Sequence, residues 1–220
     1  SGVKTKYIRA YDDKHEINLI LSEIKKLILE GFHYQGIGVL YRTNAQARLV
    51  EEMFIKAQVP YKVVGSYYFY ARKEIKDLLC YLKLILNPHD DIALRRIINV
   101  PKRGIGDTTV NKLELLANTN HISMFDAITT GKELEFKNLI QSLTEASNNL
   151  SLTELIDLVL EKSGIKAELE QEKNLENELR LDNLMEFKSI TASFEENTGS
   201  VNLEDFLAEV SLVADISDHQ

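Results

Sequence analysis

IGVLYRTNAQARLVEEMFIKAQVPYKVVG, residues 37 to 65, decides how the N-terminal part of this chain is to be read. IGVLY, residues 37 to 41, is a short apolar run bounded by Gly36 and by polar Arg42, Thr43 and Asn44, the pattern of a buried strand. Thr43 or Asn44 can cap a helix running to about Gln58, with Leu49, Val50, Met53 and Phe54 on one face, and Pro60 stops it. YKVVG, residues 61 to 65, reads as a second strand. Upstream, HEINLILSEIKKLILEG sets Ile17, Ile20, Leu21, Ile24, Leu27 and Ile28 at spacings of three and four, a helix ended by Gly31. Helix, strand, helix, strand with short connections predicts a parallel sheet covered by helices.

Beyond Gly65 no stretch alternates as a strand does, and from Glu74 onward the chain reads as helical. Ile75, Leu78, Leu79, Leu82, Ile85 and Leu86 form one stripe, and NPHDD, residues 87 to 91, marks the boundary that follows. Ser151 and Glu154 stand in capping-box spacing ahead of a helix that stops at Gly164. Two further helices are predicted around 175 to 195 and 202 to 214. The expected fold class is therefore α/β plus α: an incomplete parallel-sheet portion, then a mostly α-helical subdomain, divided at 1–88 and 89–220.

With 220 residues, 44% hydrophobic content and only 3 prolines, the chain can bury a core and is neither disordered nor collagen-like. No apolar run reaches the ~20 residues of a membrane span, which points to a cytoplasmic protein. Cys80 is the one cysteine, which leaves no disulfide within the chain, and it sits in the apolar repeat IKDLLCYLKLIL as packing. The formal net charge of -8 conceals an asymmetry. Residues 1 to 112 hold 19 Lys and Arg against 12 Asp and Glu, net +7, whereas residues 113 to 220 hold 7 against 22, net -15. Phosphates suit the first half, and the second is a solvated acidic surface.

INVPKRGIGDTTVNKL carries the clearest chemistry. IALRRIINV supplies a helix, PKRGIG a tight turn and TTVNKLELLA a second helix, with Asp107 or Thr108 able to cap it: a helix-hairpin-helix-like element. Gly104 and Gly106 would let backbone approach a phosphate with no Cβ in the way, and the following helix offers free N–H groups. Arg95, Arg96, Lys102 and Arg103 add four positive charges within nine residues. Contacts of this kind serve phosphates and carry no base preference. An exposed turn between packed helices would use the same residue types, so spacing alone leaves that alternative open.

Two other stretches hold candidates. A strand ending at Tyr41 and Arg42 would project both from a sheet edge where nucleotides bind, the ring stacking on a base and the guanidinium neutralising a terminal phosphate. The alternative is a Tyr and an Arg paired with their neighbours. GSYYFYARKEIKD mixes aromatics with Arg72, Lys73 and Lys76, a composition suited to single-stranded nucleic acid as well as to loop packing. The five histidines are scattered, so no metal site is expected.

Taken in order, LYRTNAQARLVEEM, GSYYFYARKEIKDLLCYL and INVPKRGIGDTTVNKL resemble successive motifs of the UvrD/Rep/PcrA family of superfamily 1 DNA helicases, nearest to its PcrA group in Gram-positive bacteria. The resemblance covers nearly the whole chain and is densest from Ile37 to Leu113. Ala47 and Ala71 stand where the family usually has serine and an acidic residue. The resemblance implies that residues 1–88 are the first part of the second RecA-like motor domain and residues 89–220 the accessory subdomain inserted into it. It implies that Tyr41 stacks on adenine and that Arg42, the catalytic candidate, reaches the γ-phosphate of ATP held with Mg2+. It also implies that Lys102, Arg103, Gly104, Ile105 and Gly106, with Thr108 and Thr109, contact duplex backbone, and that Phe69 and Arg72 meet single-stranded DNA.

The family's GxxxxGK[ST] phosphate loop and acidic magnesium-binding motif do not occur in these 220 residues. The chain is therefore expected to be a piece of an ATP-dependent 3′–5′ DNA helicase of repair and replication, inactive as an ATPase by itself. Its expected partners are DNA and the remaining helicase domains of the same polypeptide. Ser1 and Gly2 read as a cloning remnant. The competing expectation is a helical protein-interaction or regulatory module in which the glycine hairpin is structural.

Overall fold

Helix α1 (Asp13–Leu29) starts where the sequence supplies an acceptor, because the Asp12 carboxylate takes the His15 amide N–H at 2.7 Å. That satisfies one of the donors a helix start leaves open. Its inward stripe, Ile17, Leu21 and Ile24, is buried, and Gly31 turns the chain with φ +95°, a backbone conformation glycine adopts without strain. Helix α2 (Asn44–Lys56) answers with Phe54, which joins Val59 and the α1 stripe in one apolar cluster flanked by Leu49, Val50 and Met53. Tyr61 meets the Phe54 ring edge-on at 5.9 Å. The computed structural model describes residues 5–41, 44–61, 63 and 69–218.

The expected sheet is absent: the described residues contain no strand, and the parallel-sheet portion predicted for this part of the chain is corrected to helices joined by irregular segments. Ile37 has extended dihedrals, φ -108° and ψ 123°, so the local propensity of IGVLY is expressed. What it lacks is a partner. A ladder is a tertiary object, and two isolated strands bury too little to hold together. Ile37, Val39 and Tyr61 instead lay their side chains on the α1–α2 cluster, while Leu40 is 98% exposed. Of YKVVG only Tyr61 and Val63 are among the described residues.

These elements belong to a unit formed by Ser1–Phe69 with Val213–Gln220; Tyr70–Leu212 form a second. The described residues of the second unit form helices joined by turns and short irregular segments. Its hub is α3 (Lys73–Leu86), where Ile75, Leu78, Tyr81, Leu82 and Leu84 are wholly buried. Each such side chain stabilises by about 1.5–3 kcal/mol, so this stripe anchors whatever touches it. It touches α4 (Asp91–Ile97), α7 (Gly131–Ser147), α8 (Leu152–Lys162) and α10 (Leu175–Thr198). Between them lie α5 (Asp107–Asn120), α6 (Met124–Ala127) and α9 (Ile165–Gln171). Asp90 caps α4 through the Ala93 N–H at 2.9 Å, and Ser151 and Glu154 form the expected capping box of α8. Helix α11 (Leu203–Asp218) contributes Phe206, packed edge-on to Phe187 and Phe194 of α10 at 5.7 and 5.3 Å.

Candidate nucleic-acid interface

The turn between α4 and α5 is built by one side chain. Asn99 Oδ1 accepts the amide N–H of Arg103 at 2.7 Å and that of Ile105 at 3.2 Å, which curls residues 99–105 around it. Ile105 points inward and is 1% exposed. Gly104 takes φ +72°, and Gly106 leads into α5 with no side-chain cap. Outside this curl, Gly104, Gly106, Asp107 and Thr108 are exposed, and their amides have no hydrogen-bond partner among the described residues. Thr109 donates its amide to Gly106 O at 3.0 Å. The bend thus presents a short run of open N–H groups at the positive end of a helix, where an anion is stabilised.

The four cations near the bend have different fates. Arg95 pairs with Glu114 and reaches Asn111 at 3.1 Å, and Arg96 pairs with buried Asp77 at 2.8 Å. Arg103, expected among the outward phosphate contacts, instead turns inward. Its guanidinium donates to Val100 O at 2.8 Å, Pro101 O at 3.2 Å, Ile97 O at 3.3 Å, Ser163 O at 2.9 Å and Tyr81 Oη at 2.6 Å. It also lies over the Phe136 ring at 5.4 Å. Every acceptor is neutral, so the charge stays uncompensated while the donors are used. Arg103 therefore fastens the bend to α3, α7 and the α8–α9 junction, leaving Lys102 as the exposed side-chain cation of the PKRGIG turn. Tyr81, the other half of the fastening, gives its hydroxyl proton to Val100 O. Burial pushes its pKa up to about 12, against the lowering influence of Arg103.

The remaining candidates are more scattered. Tyr41 stands at the rim of a cleft of about 50 Å³ between α1, residues 39–41 and α2, with Asp13 and Glu16 on its wall. That volume is far below the ~300–1,000 Å³ of a small-molecule pocket, and the two carboxylates would repel a phosphate chain. Arg42 lies outside the described residues. Phe69 is 3% exposed, so its ring is not open for a base to stack on. Arg72 donates to Asn183 Oδ1 at 2.6 Å, and the same amide donates to Glu74 Oε1 at 2.6 Å, a polar link between α10 and the start of α3. No group of three or more His, Cys, Asp or Glu is arranged to hold a metal among the described residues. Cys80 is half-buried, and burial raises its thiol.

Among described residues no helix is long and apolar enough to cross a membrane. Reading by spacing missed Asn99, whose role an Asn just ahead of a glycine turn hints at, and Tyr81, Phe136 and Ser163, which nothing near the turn announces.

Comparison with known proteins agrees with the motifs. The sequence profile of the UvrD-like helicase C-terminal domain matches residues 1–220. The chain is 46% identical over 231 residues to the ATP-dependent DNA helicase PcrA of Staphylococcus aureus (strain NCTC 8325 / PS 47). It is 44% identical over 230 residues to that of Staphylococcus epidermidis (strain ATCC 12228 / FDA PCI 1200). In both cases 99% of this chain is aligned, and it spans 32% of the relative's length. Matched over its whole length by that profile, the chain belongs to the UvrD-like helicase C-terminal domain family.

Proposed function

We propose that this chain is the part of an ATP-dependent 3′–5′ DNA helicase that grips duplex backbone next to the single-strand junction. Residues 1–88 supply motor-domain sequence and residues 89–220 the accessory portion, in a cytoplasmic enzyme of DNA repair and replication. The observation that carries the reading is the α4–α5 bend. Open amides at Gly104, Gly106, Asp107 and Thr108 stand beside exposed Lys102 and Thr108, on a turn held rigid from behind by Arg103 and Asn99. Backbone N–H groups and a lysine recognise phosphate without reading sequence, which is what a motor moving along DNA requires.

Within this reading Arg103 and Ile105 act by shaping the bend, while Lys102, Gly104, Gly106, Thr108 and Thr109 face the polyanion. Arg72, tied to Asn183, belongs to the neighbouring single-strand motif, in which buried Phe69 packs rather than stacks on a base. Tyr41 would hold the adenine side of ATP, and Arg42 the γ-phosphate. ATP with Mg2+ would supply phosphoryl-transfer chemistry in the intact enzyme, with Tyr41 and Arg42 as this chain's contacts to it. The chain by itself is expected to hydrolyse no ATP.

Fluorescence anisotropy of a labelled duplex with a single-stranded tail tests the central claim. Binding is expected to weaken steeply with salt and to be lost in Lys102→Glu. Salt-insensitive binding, or Lys102→Glu behaving as the unsubstituted chain, points instead to a protein-interaction module.

A further inference from the structure

Lys132 comes from α7, twenty-eight positions beyond Gly104 in sequence, yet its ammonium lies against the bend. A Cβ placed on Gly104 would stand 2.5 Å from Lys132 Nζ and 3.6 Å from both Cδ and Cε. The lysine stem therefore crosses the face of the glycine, in space that any other residue at 104 would fill. The ammonium is exposed and has no carboxylate partner among the described residues. Glu133, its neighbour, is folded instead over Gly131 at the start of α7. Lys102 is likewise exposed without a carboxylate, and Arg103 spends its donors on neutral oxygens.

Lys132 thus adds a second unpaired ammonium, from a separate element, to a bend that already carries exposed Lys102; Asp107, also exposed, is the acidic residue of the bend and forms no ion pair with either among the described residues. Ammonium groups without a paired carboxylate raise the potential locally and favour an anion there. We infer that Lys132 is a further phosphate-contacting residue of this interface, reaching over Gly104 to the same polyanion backbone that Lys102 meets. The assignment rests on the reading of the bend as a duplex-backbone site. It gives Gly104 a second role: besides allowing φ +72°, its bare Cα leaves room for the lysine.

The test uses the 220-residue chain and a labelled duplex with a single-stranded tail, titrated between about 50 and 200 mM salt. Lys132→Ala is expected to bind about three- to tenfold more weakly at the lower salt, with a log K against log salt slope shallower by about 0.9. Lys132→Arg should restore both values. Lys173→Ala, removing an exposed lysine from the α9–α10 connection, should change neither. Because the Lys132 ammonium has no internal partner, Lys132→Ala should keep the thermal midpoint of the unsubstituted chain. Unchanged affinity and slope in Lys132→Ala, alongside weakened binding in Lys102→Glu, overturns the inference and leaves the site intact. Weakened binding at an unchanged slope overturns it too, since no phosphate contact has then been lost. Absence of salt-sensitive binding by the unsubstituted chain removes the site itself, and Lys132 with it.

Discussion

Lys102 and Arg103 are adjacent, equally charged and opposite in role. Lys102 is solvent-facing, whereas Arg103 spans five oxygens and an aromatic face. Only guanidinium has the planar fork of donors this cage uses. Removing it takes away the guanidinium donors to Pro101 O and Ser163 O and leaves Val100 O to Tyr81 and Ile97 O to the Val100 amide, at about 1–3 kcal/mol for such a loss. Arg103→Met is expected to lower unfolding free energy in urea by about 2–3 kcal/mol. Lys102→Met should stay within about 0.5 kcal/mol of the unsubstituted chain, as most exposed substitutions do. Equal stability of the two variants would contradict the inward placement. A glutamate at both positions together would mix the two effects and report neither cleanly.

At the scale of elements, edge-on aromatic packing joins α10 and α11. Phe206 is 1% exposed and touches two other phenylalanine rings edge-on. Phe206→Ala is expected to cost about 3–5 kcal/mol and to depress the thermal midpoint by many degrees; a shift of only a degree or two would mean that α11 is not docked as described. The helices of this region were legible from sequence because helical periodicity is local. Of the predicted stripe Ile75, Leu78, Leu79, Leu82 and Ile85 are buried while Leu86, at the helix end, is 44% exposed, and Ser151 with Glu154 caps α8. The strands failed for the complementary reason. An apolar pentapeptide such as IGVLY announces extended backbone, but pairing depends on a neighbour that no local pattern specifies. The bend was half legible. Glycines and lysine stood out, whereas the inward turn of Arg103 depends on acceptors contributed by Tyr81 and Ser163, 22 and 60 positions away.

For the whole molecule, Tyr81 couples stability to alkaline pH. Its hydroxyl is buried and pushed up from 10 to about 12. The folded chain therefore holds this proton more firmly than the unfolded one. The resulting stabilisation is complete below pH ~10 and disappears as pH rises from there through about 12. Urea unfolding at pH 9 and pH 11.5 should show a loss of stability that is smaller in Tyr81→Phe, and an identical loss in both would remove the coupling. Charge distribution is the other global property. On the proposed reading, the +7 before residue 113 would draw DNA toward the first part and the -15 after it would repel it from the second.

The carboxamide of Asn99 has one more consequence. Since a single oxygen gathers two amides from within the turn, the curvature exists before any ligand arrives. On the proposed reading, the backbone of the turn needs no ordering when a phosphate docks, so that part of the entropic cost of binding is avoided. In a translocating enzyme such a pre-set cradle would let contact form and break without refolding at each step.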